Sequence, residues 1–276
     1  MISIVTATLD AAAGLAHTLK SVAQQRGASF EWIVVDGGST DGTAELLRRH
    51  ENLVAHWVSE PDSGIYDAWN KACALARGEW LLFIGAGDEF VAPDTLADFS
   101  AHLESAHPAH DLVYGRLRYI SQTGRVDLEE VGAPWADLDG RWELCRPALP
   151  PHPAIFHHRS LFSGKRAFDT RYRIAGDAQF LLKHALRKPP LFVPLTVLRT
   201  PIGGISFNLR GALATAREIS SINLELGLKP PLWHRARETG LLWAKLAAGW
   251  MPPAIGGRLA DLYLRLIGRP KRWSVR

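Results

Sequence analysis

Four short segments carry side chains whose types and spacing could do chemistry. In Val34-Val35-Asp36-Gly37-Gly38-Ser39-Thr40-Asp41-Gly42-Thr43 a β-branched run ends in a carboxylate and two glycines. Asp36 can accept hydrogen bonds from a nucleobase or ribose, and the glycines let a flat ligand approach the backbone. Asp41 reads as part of the turn, with Thr40 or Asp41 capping the next helix. In Glu60-Pro61-Asp62-Ser63-Gly64-Ile65-Tyr66-Asp67-Ala68-Trp69-Asn70-Lys71, residues Asp67, Asn70 and Lys71 stand at i, i+3 and i+4 on one helical face. A lysine there can reach a diphosphate and an asparagine a sugar hydroxyl; an ordinary exposed polar face is the competing reading. In Phe83-Ile84-Gly85-Ala86-Gly87-Asp88-Glu89, Asp88 is placed to hold a divalent cation. Mg²⁺ needs only one or two protein carboxylates when phosphates and water complete its shell. In Ile174-Ala175-Gly176-Asp177-Ala178-Gln179-Phe180, Asp177 precedes a helix and is either an N-cap or a general base.

The elements that must position these residues alternate. Ile2–Ala7 is a β-branched strand, followed by a helix over 11–25 with Leu15, Leu19 and Val22 on one stripe. Strands at 32–35, 53–58 and 80–84 alternate with helices at 44–50, 65–76 and 93–103, the pattern of a parallel α/β sheet. Ligands of such sheets bind beyond the carboxyl ends of the strands. Thr8, Asp36, Glu60–Asp62 and Gly85–Asp88 follow the four strands, and three of these four ends carry carboxylates. That series predicts one polar crevice. The second half is less regular, with strands expected at 112–118, 154–156 and 191–198 and helices at 178–186 and 208–226. Two amphipathic stretches, 237–250 and 255–267, follow.

The 276 residues, 47% hydrophobic and 22% charged, suit a globular domain with a tail and exclude a disordered chain or a fibre. Two cysteines exclude a disulfide scaffold and a four-cysteine zinc module; Cys73 reads as a small core residue. The net charge of +4 is unevenly spread: residues 207–276 hold 12 Lys/Arg against 4 Asp/Glu. The basic excess belongs to the tail, so nucleic acid is not an expected partner. No GxGxxG or GxxxxGK[ST] motif is present, which argues against NAD and P-loop readings. The N-terminus has no basic n-region and is broken by Asp10, and the uncharged stretch 246–257 is broken by Pro252 and Pro253. Neither a signal peptide nor a membrane span is expected. His152, His157 and His158 lack metal-ligand companions in sequence, and structural or acceptor-facing roles are expected for them.

The four segments, in this order, resemble the family 2 glycosyltransferases of GT-A fold, over Ile2 to about Ser206. EWIVVDGGSTDGT and SEPDSGIYDAWNKACALARGEW look most like the bacterial exopolysaccharide branch that builds colanic acid and related polymers. HPAIFHHRSLF, FDTRYRIAGDAQFLL and GGIS extend the likeness. The resemblance implies a Rossmann-like, mostly parallel mixed sheet flanked by helices, with a catalytic domain over 1–206 and a basic helical extension over 207–276. Within 1–206, the nucleotide-sugar half would run to about residue 110 and the acceptor half from 111. It implies that Thr8 and Asp36 line the nucleotide site of a UDP- or GDP-sugar and that Asp67, Asn70 and Lys71 belong to the donor helix. Asp88 becomes the last carboxylate of the metal-binding acidic motif for Mg²⁺ or Mn²⁺, Asp177 the base of an inverting transferase, and His152 an acceptor-pocket residue. The sequence departs from the usual Asp-x-Asp pattern, since Gly85 and Gly87 stand where carboxylates would, and Gln179 replaces a second acid.

The implied acceptor is a glycan, lipid-linked, with the enzyme at the cytoplasmic face of the membrane. Four of the ten tryptophans (Trp233, Trp243, Trp250, Trp273) lie among the basic residues of the tail, the composition of a helix at an anionic surface. Two alternatives remain open: a sugar-1-phosphate nucleotidyltransferase, which lacks its Gly-rich Arg-Lys signature here, and a non-catalytic nucleotide-sugar-binding scaffold.

Overall fold

The computed structural model describes residues 1–122, 126–164, 166–203 and 211–249. Its elements run β1 Ile2–Thr8, α1 Ala12–Ala23, β2 Phe30–Asp36, α2 Thr43–Arg49, β3 His56–Ser59, α3 Ile65–Leu75, β4 Trp80–Phe83, β5 Glu89–Phe90 and α4 Thr95–Ala106. There follow β6 Leu112–Ile120, β7 Asp127–Val131, α5 Trp135–Leu138, β8 Trp142–Glu143, β9 Arg146–Pro147, β10 Ile155–His158, α6 Gly176–Ala185, β11 Leu191–Pro201, α7 Gly211–Glu225 and α8 Leu232–Gly249. The expected tail stretch 255–267 lies outside the described residues.

One large mixed sheet has the order β3-β2-β1-β4-β10-β6-β11-β5, with β7 also against β6. The first four strands of that order are parallel, and β10 turns antiparallel to β4. Their buried faces are continuous runs such as Trp32-Ile33-Val34-Val35, each fully buried, as a sheet covered by helices on both faces requires. The third strand is displaced from the expected 53–58 to His56–Ser59, because Val54 is drawn into the turn that closes α2 through its amide bond to His50 O.

The chain forms two compact units. One comprises Met1–Leu117, Gly132–Trp135 and Leu149–Thr200; the other comprises Arg118–Val131, Ala136–Ala148 and Pro201–Arg276. In the first, Ser3 and the amides of Arg77 and Gly78 all donate to the buried Glu31 carboxylate, tying β1, β2 and the approach to β4 at one edge. Burial pushes the Glu31 carboxyl up, but these donors together outweigh it and hold it below the ordinary range. In the second, Asn223 of α7 donates to Cys145 O (2.7 Å) and the buried His234 of α8 pairs with Trp142 O (2.9 Å). Both hold the β8–β9 hairpin, whose two turn residues, Leu144 and Cys145, have positive φ (51° and 60°).

Candidate active site

The crevice begins where the parallel strands end level. Thr8 is the register partner of Asp36, and Asp36 of Ser59, so the last residues of β1, β2 and β3 stand in a row. Asp36 is fully buried and accepts from the Ser39 amide (3.0 Å), the Ser39 hydroxyl and the Ser59 hydroxyl (2.6 Å). Ser39 in turn accepts from the Asp10 amide (2.7 Å). The Thr8 hydroxyl is buried and has no hydrogen-bond partner among the described residues, which leaves it available to a ligand. Asp41, as the sequence suggests, belongs to the turn. It accepts from the amide and hydroxyl of Thr43 at the start of α2 and from the Ala12 amide at the start of α1.

Along α3, Lys71 pairs with Glu60 (2.7 Å) just beyond β3 and lies 3.6 Å from Asp67. Asn70 has a competitor for its expected sugar bond: its amide donates to Phe168 O (2.8 Å) and accepts from Phe168 N (2.9 Å). It clamps the segment that leads to α6. This second task is invisible in i, i+3, i+4 spacing, because its partner lies 98 positions away.

Asp88 sits in a turn closed by its own side chain, with the Gly85 amide donating to Oδ2 (2.6 Å) and the Asp88 amide to Gly85 O (3.1 Å). Thr18 of α1 holds the same turn, donating to Gly85 O (3.2 Å) and accepting from the Gly87 amide (2.8 Å). Burial pushes the Asp88 carboxyl up to about 6, against the opposing pull of the Gly85 amide and the nearby Thr200 hydroxyl. Among the described residues no cation pairs with it. A buried carboxyl lacking a counter-charge, with glycines at 85 and 87, fits a cation held by one protein carboxylate and otherwise by a diphosphate and water.

Asp177 lies in the first turn of α6, where the helix N-terminus favours its negative charge. Its Oδ1 accepts from the Tyr66 hydroxyl of α3 (3.1 Å). A chain of ring contacts runs from β4 to this carboxylate: Phe83 to Trp69 (4.9 Å), Trp69 to Tyr66 (5.4 Å), and the Tyr66 hydroxyl to Asp177. His152 stacks on Trp69 (4.9 Å, 15°). It reaches this rim because β10 runs antiparallel to β4, so the segment preceding β10 lies beside the carboxyl end of β4. Burial holds His152 below the usual histidine range, and its Nε2 is buried with no partner among the described residues. Gln179 is buried on the inner side of α6. Tyr66 was missed by the sequence reading; its position one residue before Asp67 is the one signal that could have flagged it.

A second group, His107, Asp111 and His158, brings ligand atoms within 4.8 Å of one another. It lies at the opposite end of β4, where His158 is the register partner of Trp80. Lys188 already neutralises Asp111 (2.7 Å), and the two imidazoles stack face to face (3.7 Å, 12°), so their in-plane lone pairs run side by side rather than converging. The Cys73 thiol, pushed up to about 12 by burial, is no nucleophile at neutral pH.

A mixed, helix-flanked sheet with buried Asp36 and Asp88 following its parallel strands has a polar crevice where such sheets hold their ligands. The description of glycosyl transferase family 2 matches residues 3–146, and the chain belongs to that family. It is 36% identical over 192 residues to a PGL/p-HBAD biosynthesis glycosyltransferase of Mycobacterium tuberculosis, covering 66% of this chain and 69% of the relative. It is 33% identical over 93 residues to TuaG of Bacillus subtilis, named for teichuronic acid biosynthesis, covering 33% of this chain and 37% of that one. Among solved structures, S. aureus TarS 1–349 in complex with UDP superposes with TM-score 0.60 at 17% identity, covering 94% of this chain and 78% of that one. The chain spans 43% of the longer TarS chain. The mannosyltransferase PcManGT from Pyrobaculum calidifontis, in complex with GDP-Man and Mn²⁺, superposes with TM-score 0.57 at 21% identity, covering 96% and 79%. The protein is a glycosyltransferase of GT-A fold.

Proposed function

We propose that the enzyme is an inverting transferase moving a hexose from a UDP- or GDP-sugar to a lipid-linked glycan in bacterial cell-surface polysaccharide synthesis. The observation that carries this reading is Asp177, an acid at a helix N-terminus, fixed by Tyr66 at the rim where the ring contacts from β4 end. Asp36 and Thr8 bind the base and ribose, Lys71 and its neighbour Asp67 face the diphosphate, and His152 lines the acceptor side. Asp177 takes the proton of an acceptor hydroxyl as that oxygen bonds to the anomeric carbon. The bond from that carbon to the diphosphate oxygen breaks on the opposite face, and the nucleoside diphosphate leaves with the electron pair. A divalent cation at Asp88, when bound, neutralises charge on the leaving diphosphate. TuaG supports the polysaccharide pathway as an analogy, and the exopolysaccharide branch is proposed on the motifs already quoted. The functional division into a catalytic domain over 1–206 and an extension over 207–276 belongs to the same proposal.

Calorimetric titration with UDP and GDP, with and without Mn²⁺ or Mg²⁺, tests the donor site. One nucleotide should bind more tightly with metal and lose binding in Asp36→Ala, and the metal enhancement should vanish in Asp88→Ala. Asp177→Asn should retain nucleotide binding and lose about 10²–10⁴-fold in turnover. Normal sugar transfer by that variant would remove Asp177 from the mechanism.

We further propose a peripheral location at the cytoplasmic face, supported by α8. No described helix is long and apolar enough to cross a membrane. Leu232, Trp233 and Trp243 are 80%, 65% and 68% exposed. At about 100° per residue they fall on one arc, with the exposed Arg235 and Arg237 on either side. The full chain should float with phosphatidylglycerol-containing vesicles and not with phosphatidylcholine alone, and Trp233→Ser with Trp243→Ser should reduce flotation. Equal flotation of the variant would remove α8 from membrane contact.

A further inference from the structure

Two stretches distant in sequence, α3 and residues 168–177, converge on one hydroxyl group. The Tyr66 side chain, in a residue 3% exposed, lies 6.0 Å from Phe168 in a near-parallel stack and 5.4 Å edge-on from Trp69. Phe168 is itself fixed by the two-ended amide clamp from Asn70. On the opposite side Gly176 clears the space: a Cβ there would fall 2.7 Å from the Tyr66 ring, closer than real Cβ contacts allow. In this packing the phenol donates to Asp177 Oδ1 at 3.1 Å and its oxygen lies beside the backbone amides of Gly176 and Asp177 at the start of α6.

We propose that Tyr66 is a positioning residue for Asp177: its O–H fixes one carboxylate oxygen, leaving the other oxygen to receive the acceptor proton. The proposal rests on Asp177 being the base. Burial and the neighbouring carboxylate push the phenol far above its ordinary value, so it keeps its proton and remains a donor throughout the working range. The Asp177 charge also acts on His152, from the segment before β10, where burial outweighs it and holds the imidazole below the usual histidine range. The phenol is thus a side-chain donor to the Asp177 carboxylate that can be deleted without disturbing the ring stack. The same packing gives an otherwise unexplained role to Gly176, which stands where any larger residue would push the ring away.

The test is Tyr66→Phe in the full chain, which keeps the ring stack and deletes the hydroxyl. Carboxyl ¹³C NMR of aspartate-labelled protein, with Asp177→Asn identifying the signal, reads the titration of Asp177 directly. Its midpoint should rise by about one pH unit in Tyr66→Phe. Nucleoside diphosphate release from whichever of UDP-glucose, UDP-GlcNAc or GDP-mannose is turned over should lose about tenfold in kcat on the acid limb, recover at high pH, and keep its donor KM. An unchanged Asp177 midpoint overturns the proposal whatever the kinetics. A shifted midpoint and acid limb, with Asp177→Asn inactive, support it. An active Asp177→Asn overturns the base assignment, and with it any catalytic meaning for Tyr66.

Discussion

Asp88 illustrates how a single residue can serve function against stability. Its carboxyl rises from an ordinary 3.8 to about 6, so the folded state holds this proton more tightly than the unfolded one does. Stability is then unaffected below the unfolded value, falls as pH climbs from about 4 to about 6, and stays lowered above that by about 3 kcal/mol. Asp88→Asn keeps the acceptor for the Gly85 amide and removes the charge. In metal-free buffer its stability advantage over the wild type should be about 1.4 kcal/mol larger at pH 7.5 than at pH 5, read by denaturant unfolding. An advantage equal at both pH values would mean that Asp88 titrates in its ordinary range. Divalent cations should narrow the gap by stabilising the wild type alone. The residue type and its place after a strand were legible in sequence; its burial and its closed turn were not, because both depend on Thr18 of a helix 70 positions earlier.

At the level of elements, legibility followed the kind of strand. The runs at β1, β2 and β4 are continuous and apolar because both faces are covered, and the residues singled out in the sequence stand at or just beyond their ends. β7, Asp-Leu-Glu-Glu-Val, escaped notice because it is acidic and only partly buried. The β8–β9 hairpin escaped for another reason: Leu144 and Cys145 occupy left-handed positions that ordinarily call for Asn or Gly. Tertiary bonds from Asn223 and His234 hold that hairpin in place of turn propensity. Leu144→Gly should therefore stabilise the protein by about 1 kcal/mol, seen as a rise in Tm with an unchanged m-value. A loss of stability would show that the half-exposed Leu144 side chain makes a contact worth more than its backbone strain costs.

For the molecule as a whole, the reversal of direction at β10 matters most. It returns the chain to the carboxyl ends of the parallel strands and delivers His152 beside residues contributed more than 60 positions earlier. Local sequence patterns report periodicity and breaks but not strand direction, so this convergence was expected from family likeness and not from spacing. The turn at Gly85–Asp88 also bears on descent. A side chain added at Gly85 would place its Cβ 3.3 Å from Asp88 Oδ2, and one at Gly87 would need a side chain at φ 109°. Beneath the turn, Gly14 and Thr18 of α1 are fitted to its present shape, with space for Gly14 limited by Ala86 O at 3.1 Å. A second acid at either position has to be accommodated by the turn and by the helix beneath it. Lineages that alter metal dependence at this loop must change α1 at the same time, and substitutions at 14, 18, 85 and 87 should covary as one inherited block.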